Sequence, residues 1–327
     1  MSFRLSQRWI ACVVLGLVAV GLSGQLITAE ETSNDKPVEA PIPKQLYRLR
    51  YKFQRDDLVF YDEQQRTTKT IKGAGLVDVT KTETSARKHY RVVSVDGVGT
   101  GLLELVLDRV KMQVDFGKNT PLVKFDSDSK EQPPSQFRSV KATIGKPQVR
   151  MRLAANGELK KVLLLNRSNQ RAVGQLRLAP QTDASDPSHN FLVVFPQESI
   201  AVGDSWSDRI AVDVRISKSL LRPITLLRRY SLKSVEDGLA TISISARVLT
   251  PIRDPKIRTQ LIQRTPSGTA VFDLARGVIV EKTMTVNKRQ VGGITEKSSM
   301  HVVSRRTERL VEPTQKTASR GKASTRK

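Results

Sequence analysis

The fold is decided by the stretch Tyr230-Ser-Leu-Lys-Ser-Val-Glu-Asp-Gly238, which is followed by Ala240-Thr-Ile-Ser-Ile-Ser-Ala246. An earlier part of the chain has the same order, Tyr90-Arg-Val-Val-Ser-Val-Asp-Gly97 and then Thr100-Gly-Leu-Leu-Glu-Leu-Val-Leu107. In both places a run with strand character reaches an Asp-Gly pair, which supplies the positive φ angles of a tight hairpin turn. The sequence therefore predicts the same β-hairpin twice.

A second hairpin follows each copy. It reads Arg150-Met-Arg-Leu-Ala-Ala-Asn-Gly-Glu-Leu-Lys160 in the first and Ala270-Val-Phe-Asp-Leu-Ala-Arg-Gly-Val-Ile-Val280 in the second. The same elements in the same order predict a mainly β, internally duplicated antiparallel meander with one or two short helices. Trp206 is the predicted packing anchor of its strand. The predicted structural turns lie at Gly97, Gly157, Gly203, Gly238 and Gly277.

Alternation with a period of two marks half-buried strands elsewhere as well. The run Tyr47 to Phe53 places its large apolar side chains on one face, and the run Val278 to Val286 keeps an apolar face that only Lys282 interrupts. Each copy would then be a sheet of about five strands with one apolar face that must be covered. Two arrangements satisfy this requirement: a sandwich, or one curved sheet, a half-barrel, wrapped around a helix or a ligand.

The two repeats differ in length. The equivalent glycines of the first hairpins are 141 positions apart, whereas those of the second hairpins are 120 positions apart. We assign the extra residues of the first repeat to an insertion at 126–145 with a helix near 134–144, which follows two prolines and ends before a glycine. The predicted repeats are 46–184 and 185–312, with 167–184 as a linker or a second helix.

The two ends of the chain have their own patterns. Residues 1–29 resemble a secretory signal peptide, because Arg4 and Arg8 precede an uncharged, mostly apolar run. An uncleaved anchor is the alternative, although a spanning helix needs about 20 apolar residues. Residues 30–45 are predicted to be a flexible leader and residues 313–327 a disordered basic tail. We expect a protein exported to the periplasm or the cell envelope.

The formal charge is +23, and the single cysteine, Cys12, lies in the predicted signal peptide. A mature chain without thiols has no disulfide framework, thiolate metal site or cysteine nucleophile. The charge favours anionic partners such as envelope polysaccharide or a membrane surface. Aromatic residues are only 5% of the chain, which argues against specific nucleic-acid binding because single-strand binders stack bases on aromatic rings. The candidate polyanion contacts are Arg228, Arg229, Arg305 and Arg306.

One motif resembles that of an enzyme. Gly203-Asp204-Ser205-Trp206 resembles the Gly-Asp-Ser motif of an esterase family with a serine nucleophile, and Asp186 and His189 imitate its Asp-x-x-His. The order of the two motifs is reversed and the alternating helices of that α/β family are missing, so we predict no enzyme. The histidines are far apart and the acidic run at 125–131 lacks the glycine of a calcium loop, so no metal or cofactor is predicted.

A resemblance to a family rests on the Tyr90–Gly97 hairpin, the Asn156-Gly157-Glu158 turn, and the run Val202-Gly-Asp-Ser-Trp206 after Phe195-Pro196. The chain resembles uncharacterised exported bacterial β-proteins of the domain-of-unknown-function type, frequent in planctomycete-like bacteria. The resemblance spans roughly residues 45–310 and implies a β fold without a catalytic residue. The repeated meander is also similar to the half-barrel of lipoprotein-carrier proteins, which hold acyl chains in a concave sheet face, although fold does not determine function.

Three functions follow from these patterns. The first is a non-catalytic envelope protein that binds an apolar or lipid-like ligand in a concave sheet face, which predicts an apolar cavity of several hundred Å³. The second is a basic structural or adhesive module that holds anionic envelope polymers through its charge. The third is a serine esterase that uses Ser205 as its nucleophile.

Overall fold

The computed structural model describes residues 44–117, 120–165, 193–217 and 220–312. The predicted signal peptide, nearly all of the predicted leader and the predicted basic tail lie outside these residues. The segment proposed as a linker or second helix and the Asp-x-x-His motif lie outside them as well.

Strands make up most of the described chain. They are, in chain order, β1 (Leu46–Tyr47), β2 (Leu58–Gly73), β3 (Leu76–Val95), β4 (Gly101–Asp115), β5 (Val123–Asp126), β6 (Pro147–Leu153), β7 (Leu159–Leu164), β8 (Ile200–Ala201), β9 (Ser205–Arg215), β10 (Leu221–Glu236), β11 (Leu239–Val248), β12 (Ser267–Asp273), β13 (Val278–Val291) and β14 (Ser299–Val311). Within the same ranges two short helices interrupt them. They are α1 (Arg138–Thr143), after a 3₁₀ turn at Ser135–Phe137, and α2 (Pro255–Leu261), before a 3₁₀ turn at Ile262–Arg264.

Twelve strands form one antiparallel sheet. Their order is β7-β6-β4-β3-β2-β14-β13-β12-β11-β10-β9, with β5 paired to β4, while β1 and β8 pair separately. The predicted mainly β meander is therefore confirmed. Of the two predicted arrangements the protein has the single sheet, because the repeats join edge to edge where β2 pairs with β14. The sheet is open, with β7 and β9 at its edges.

Backbone hydrogen bonds at the start of each repeat demonstrate the duplication. In repeat 1, Val92 of β3 exchanges two hydrogen bonds with the turn Asp56–Asp57, at 2.8 and 2.9 Å. In repeat 2, Leu232 of β10 does the same with the turn Gly203–Asp204, at 2.8 and 3.0 Å. The first residue of each turn has a positive φ, 68° in repeat 1 and 95° in repeat 2. Equivalent turns thus form the same pair of backbone hydrogen bonds with equivalent strands in the two halves.

The sheet curls around an aromatic plug, which we define as Leu49–Phe53 together with Val193–Phe195. Tyr51 donates its backbone N–H to Ala155 O, between β6 and β7, at 2.7 Å, and its ring lies edge-on to Phe272 of β12, with 5.4 Å between centroids. In a flat sheet β6 and β12 would be about 29 Å apart at the usual strand spacing. Tyr51 contacts both parts of the sheet because the sheet is curved. We call the face of the sheet that is turned toward the plug the inner face.

Each helix covers the inner face of its own repeat. In repeat 1, Phe137 before α1 stacks on Phe125 of β5, with 5.2 Å between ring centroids, above the buried inner face of β4. In repeat 2, Ile257 and Leu261 of α2 pack against the inner faces of β9 and β10. Both helices therefore bury apolar surface that the plug does not reach.

Helix α2 was missed by the sequence analysis. Its start signals are Pro255 in the first turn and Asp254, whose side chain accepts the backbone N–H of Lys256 at 2.8 Å. Because α1 and α2 occupy corresponding places, a helix is common to both repeats. The extra length of repeat 1 lies instead before the helix, in a longer β4, 15 residues against 10 in β11, and in β5 together with the segments on either side of it.

Two local predictions need correction. The run Tyr47 to Phe53 is not a strand beyond Tyr47, although its alternation holds, because Leu49 and Tyr51 are buried in the plug. In the first hairpin the positive φ, 80°, belongs to Gly99 and not to Gly97. The loop there is longer than a two-residue turn. Positive φ angles do occur at the other predicted turns, Gly157, Gly203, Gly238 and Gly277.

Candidate functional site: a basic cavity on the inner face

The inner face of repeat 2 and of β2 bounds a cavity of about 510 Å³, which α2 and its following 3₁₀ turn cover. Its apolar wall includes Val193, Ile210, Ile244, Met284, Val286 and Met300. Its cationic lining consists of Lys69, Arg228, Arg264, Lys282 and Arg306. Among the described lining residues the carboxylates number one, Asp213. The cavity is therefore both apolar and basic.

A second depression, of about 500 Å³, lies on repeat 1. Its walls are mostly polar side chains of β2 to β5, and the large apolar side chains among the described lining residues are Met112 and Phe125. Small-molecule sites are lined mainly by apolar side chains with a few converging polar groups. The cavity on repeat 2 fits that description better.

Two buried carboxylates face each other at the seam between the repeats. Glu63 of β2 and Glu308 of β14 are directly opposite partners in the sheet, a placement that destabilises like charges. Lys88 of β3 lies between them, with its Nζ 2.9 Å from Glu63 Oε2 and 2.9 Å from Glu308 Oε1. One ammonium group thus compensates both carboxylates.

Two further cations extend this group into a row of alternating charge. Lys282 Nζ lies 2.8 Å from Glu308 Oε2, and Arg306 Nη2 lies 2.9 Å from Glu63 Oε2. We call the set Lys282, Glu308, Lys88, Glu63 and Arg306 the charge chain. Its side chains are only 4–14% exposed, and its three cations exceed its two carboxylates by one charge. Both terminal cations, Lys282 and Arg306, line the cavity.

The pKa values in the charge chain follow from burial and from these contacts. Burial raises the pKa of Glu63, but Arg306 and Lys88 outweigh burial and lower it to about 2. The pKa of Glu308 is lowered in the same way, against burial, by the cations around it. Burial lowers the pKa of Lys88, yet the two carboxylates raise it above its usual value. Burial lowers the pKa of Lys282 below its usual value, and Glu308 beside it does not restore it. Lys282 is thus less well compensated than Lys88.

The two arginine pairs place one side chain on each face of the sheet, as the alternation along a strand requires. Arg228 and Arg306 face the interior, where Arg228 donates from Nε to Asp208 Oδ1 at 3.0 Å. All four arginines were named from the sequence as candidate polyanion contacts, and for Arg228 and Arg306 this contact also stays a prediction. Arg229 and Arg305 are exposed, and their contact with a polyanion stays a prediction.

Trp206 and the turn before it hold the plug against repeat 2. Gly203 has a φ of 95°, and Asp204 closes the turn by accepting the backbone N–H of Ala201 at 2.8 Å. The indole Nε1 of Trp206 donates to a backbone carbonyl of the plug at 2.6 Å. Its ring stacks on Tyr230, with 5.5 Å between centroids. The indole therefore ties the plug to β10.

Ser205 begins β9, where it is exposed and lies opposite Ser231 of β10. Its proposed partners, Asp186 and His189, lie outside the described residues. The esterase hypothesis therefore stays a prediction.

Within the described residues, no three His, Cys, Asp or Glu side chains converge as metal ligands. His89 Nδ1 lies 2.8 Å from Asp108 Oδ2, and His301 Nε2 hydrogen-bonds an asparagine side chain at 2.8 Å. In the acidic run, Asp126 Oδ2 lies 3.0 Å from Lys111 Nζ. These groups are thus engaged with protein partners.

Most of the charge chain was not predicted from the sequence. Glu63, Lys88 and Glu308 were not singled out, and Lys282 was noted only as an interruption of an apolar face. That interruption was the available signal, because a charged side chain on a buried face requires a partner. The partners could not be identified, because they come from β2, β3 and β14 and meet only when the two repeats join.

No family model matches the chain, and no curated protein matches it. Among solved structures the chain is similar to one titled "Lipid-protein interactions in lipovitellin", with 10% identity, a TM-score of 0.42, and coverage of 80% of this chain and 26% of that chain. It thus spans about a quarter of the lipovitellin chain's length. It is also similar to the translocator domain of autotransporter NalP from Neisseria meningitidis, with 7% identity, a TM-score of 0.28, and coverage of 77% and 88%. Such distant likenesses assign no function. No helix in the described ranges has the length and apolarity to cross a bilayer.

Proposed function

We propose that this protein is a non-catalytic envelope protein that binds an amphipathic, lipid-like ligand with one anionic end in the cavity of repeat 2. The observation that carries the proposal is the cationic lining of the cavity, where five lysine and arginine side chains accompany one carboxylate among the described lining residues. An anionic end would be attracted to these cations, and such an attraction is stronger in the low polarity of a protein interior than in water.

The size and lining of the cavity support the apolar part of the ligand. Its volume of about 510 Å³ lies in the range of about 300–1,000 Å³ that small-molecule sites have. Met284 and Met300 form part of the wall, and unbranched thioether side chains adapt to ligands of different shape. An acyl or similar chain could lie against this wall while its anionic end meets the cations.

A binding role without catalysis is part of the proposal. The described lining of the cavity contains no histidine or cysteine, and its serine, Ser304, shares a hydrogen bond with Thr67 at 2.8 Å. General-base activation of a serine needs a base within hydrogen-bond reach. Export to the envelope rests on the pattern of residues 1–29, as in the sequence analysis.

The proposal is tested by comparing the affinities of ligands that have the same alkyl chain and differ in the charge of the head group. We expect a long-chain fatty acid to bind more tightly than the matched alcohol, and the matched trimethylammonium amphiphile to bind least, by calorimetry or displacement of a fluorescent fatty acid. Lys282→Met should reduce the preference for the acid over the alcohol about tenfold, the typical worth of a hydrogen bond to a charged group. Arg305→Gln, next to Arg306 but on the outer face, is the matched control. Failure of all three ligands to bind would contradict the proposal.

The alternative is a basic module that binds anionic envelope polymers. It is favoured by the charge of +23 and by the outward exposure of Arg229 and Arg305. Such binding should fall steeply with added salt, because exposed charges are screened. Retention on an anionic polysaccharide column that is insensitive to salt would count against it.

A further inference from the structure

Successive turns of an antiparallel meander fall at alternate ends of the sheet. The turns β2–β3, β9–β10 and β13–β14 therefore share one end, which we call the upper rim. Direct neighbours confirm this for two of them, since Ser299 at the start of β14 is the sheet partner of Lys72 at the end of β2. The loop from β13 to β14 also lies against α2, because a Cβ on Gly293 would meet the side chain of Thr259.

The upper rim exposes large apolar side chains. On the described parts of its three turns these are Leu76, Val77, Ile216, Leu220, Leu221, Val291 and Ile294. Leu76 is 75% exposed and follows a tight turn at Ala74–Gly75, where both residues have positive φ. Clustered exposed apolar residues at one end of a soluble domain mark a surface that meets a membrane or another protein.

Cations surround these apolar residues. Exposed lysines and arginines on the upper rim and at the start of α2 are Lys72, Arg215, Arg222, Arg253, Lys256, Arg258 and Lys297. Exposed carboxylates in the same region are Asp78, Asp213, Asp254 and Glu296. Cations thus predominate, as in interfacial segments that combine aliphatic insertion with attraction to anionic lipid head groups.

The opposite end of the sheet has a different character. On its four described turns and the strand ends beside them, the exposed carboxylates are Asp96, Glu158, Glu236 and Asp237, and the exposed cations are Arg152, Lys160 and Arg276, so cations do not predominate there. Their exposed large apolar residues are Val98, at 83%, and Leu239, at 38%. The apolar and basic combination is therefore a property of the upper rim and not of hairpin turns in general.

We propose that the upper rim is a docking surface for an anionic lipid bilayer, with Leu76, Leu221 and Val291 inserted between head groups. This inference goes beyond the proposed function, because docking does not require that the cavity bind a ligand. The two features are placed to work together. Lys69, Val286 and Met300 of the cavity wall lie within a few residues of the upper-rim turns, so a lipid leaving the bilayer would have a short path to the cavity.

The orientation of the protein on the bilayer is tested by measuring how deeply single side chains enter it. Leu76→Trp and Val98→Trp are compared in the full chain, with vesicles of phosphatidylcholine and phosphatidylglycerol that carry brominated acyl chains. We expect bromine to quench the tryptophan at position 76 and to leave that at position 98 at its value without bromine, after subtraction of wild-type fluorescence. Equal quenching at both positions, or none at position 76, would overturn the proposal.

The contribution of the upper rim to membrane affinity is tested with two variants that add the same charge at opposite ends of the sheet. Leu76→Asp should lower partition onto the same vesicles about tenfold, because it removes an inserted leucine and adds a negative charge near anionic lipid. Val98→Asp adds the same charge at the opposite end and should have no effect on partition. An equal loss in both variants indicates adsorption by net charge alone and refutes docking by this rim. Dimerisation that Leu76→Asp abolishes, without vesicle binding by wild type, identifies a second copy as the occupant instead.

Discussion

At the scale of single residues, Lys88 holds the buried charge chain together. Glu63 and Glu308 are opposite each other on neighbouring strands, and both of their contacts to Lys88 are 2.9 Å. Lys282 and Arg306, at the ends of the charge chain, each contact one of these carboxylates. Lys88 is the group that separates the two negative charges.

We expect Lys88→Met to lower the free energy of unfolding by about 3–5 kcal/mol, the usual cost of removing one partner from a buried ion pair. Urea unfolding followed by circular dichroism measures it. The control is Arg309→Gln on the outer face of β14, whose pair with Glu281 is largely exposed and should contribute at most about 1 kcal/mol. A loss for Lys88→Met no larger than that of the control would contradict the proposed role.

The pKa of Glu63 predicts how stability depends on acidity. Its folded-state pKa is about 2, below the ordinary value of 4.5, so its contribution is present above pH 4.5 and is lost as the pH falls toward 2. Glu308 acts in the same direction. We expect the free energy of unfolding to decline over this window. The decline should be shallower in Glu63→Gln, and an unchanged slope in that variant would contradict the assignment.

At the scale of elements, the turns do more than reverse the chain. Gly157 and Gly277 lie in the turns of two hairpins that contact the plug. A Cβ on Gly277 would be 2.6 Å from Lys52 N. Lys52 N also donates to the carbonyl of Gly277 at 3.2 Å. The absence of a side chain at this turn lets the plug approach the sheet.

A matched pair of glycines separates close approach from backbone conformation. Gly238 has a φ of 77° with open space around it, whereas Gly277 has a φ of 67° and contacts Lys52. Gly238→Ala should cost about 1–2 kcal/mol for the left-handed conformation. Gly277→Ala should cost clearly more in the same urea titration, because the methyl group also displaces the plug. Equal losses would show that the contact contributes little.

Bulges are the element-level feature that the pattern of residues did not reveal. The apolar face predicted for Val278 to Val286 is interrupted by a register shift between β12 and β13. Ile279 is buried before the shift, and Lys282 and Val286 are buried after it. One extra residue exchanges the two faces of a strand. This exchange is what points Lys282 inward toward Glu308.

At the scale of the whole molecule, the two repeats depend on each other. The plug contacts the β6–β7 turn and β12, which belong to different repeats. The charge chain takes Glu63 and Lys88 from repeat 1 and the other three members from repeat 2. If the halves were separated, Lys88 and Glu308 would lose each other, and Glu63 and Arg306 would lose each other.

We therefore expect residues 44–165 expressed alone to lack a cooperative unfolding transition in urea. The inner face would be open, and Lys88 would lose Glu308. Co-expression with residues 193–312 is the control and should restore a single transition. A cooperative transition of the isolated half, near the urea midpoint of the full chain, would contradict this interdependence.

Local patterns determined the strands, their turns and the duplication. A period of two and glycines suited to positive φ depend on neighbouring residues, so Tyr90 to Gly97 and Tyr230 to Gly238 could be assigned as hairpins from sequence. The same patterns indicated burial of Leu49 and Tyr51, although not their place in a plug.

Tertiary structure alone decided that the repeats form one curved sheet, that Arg228 and Arg306 face inward, and that Lys282 and Arg306 reach a common cavity. These outcomes depend on which strand edges meet and on single-residue bulges, and they join residues as far apart as Glu63 and Arg306. The free energy of such contacts depends on the low polarity of the folded interior, which exists only after both repeats have assembled around the plug.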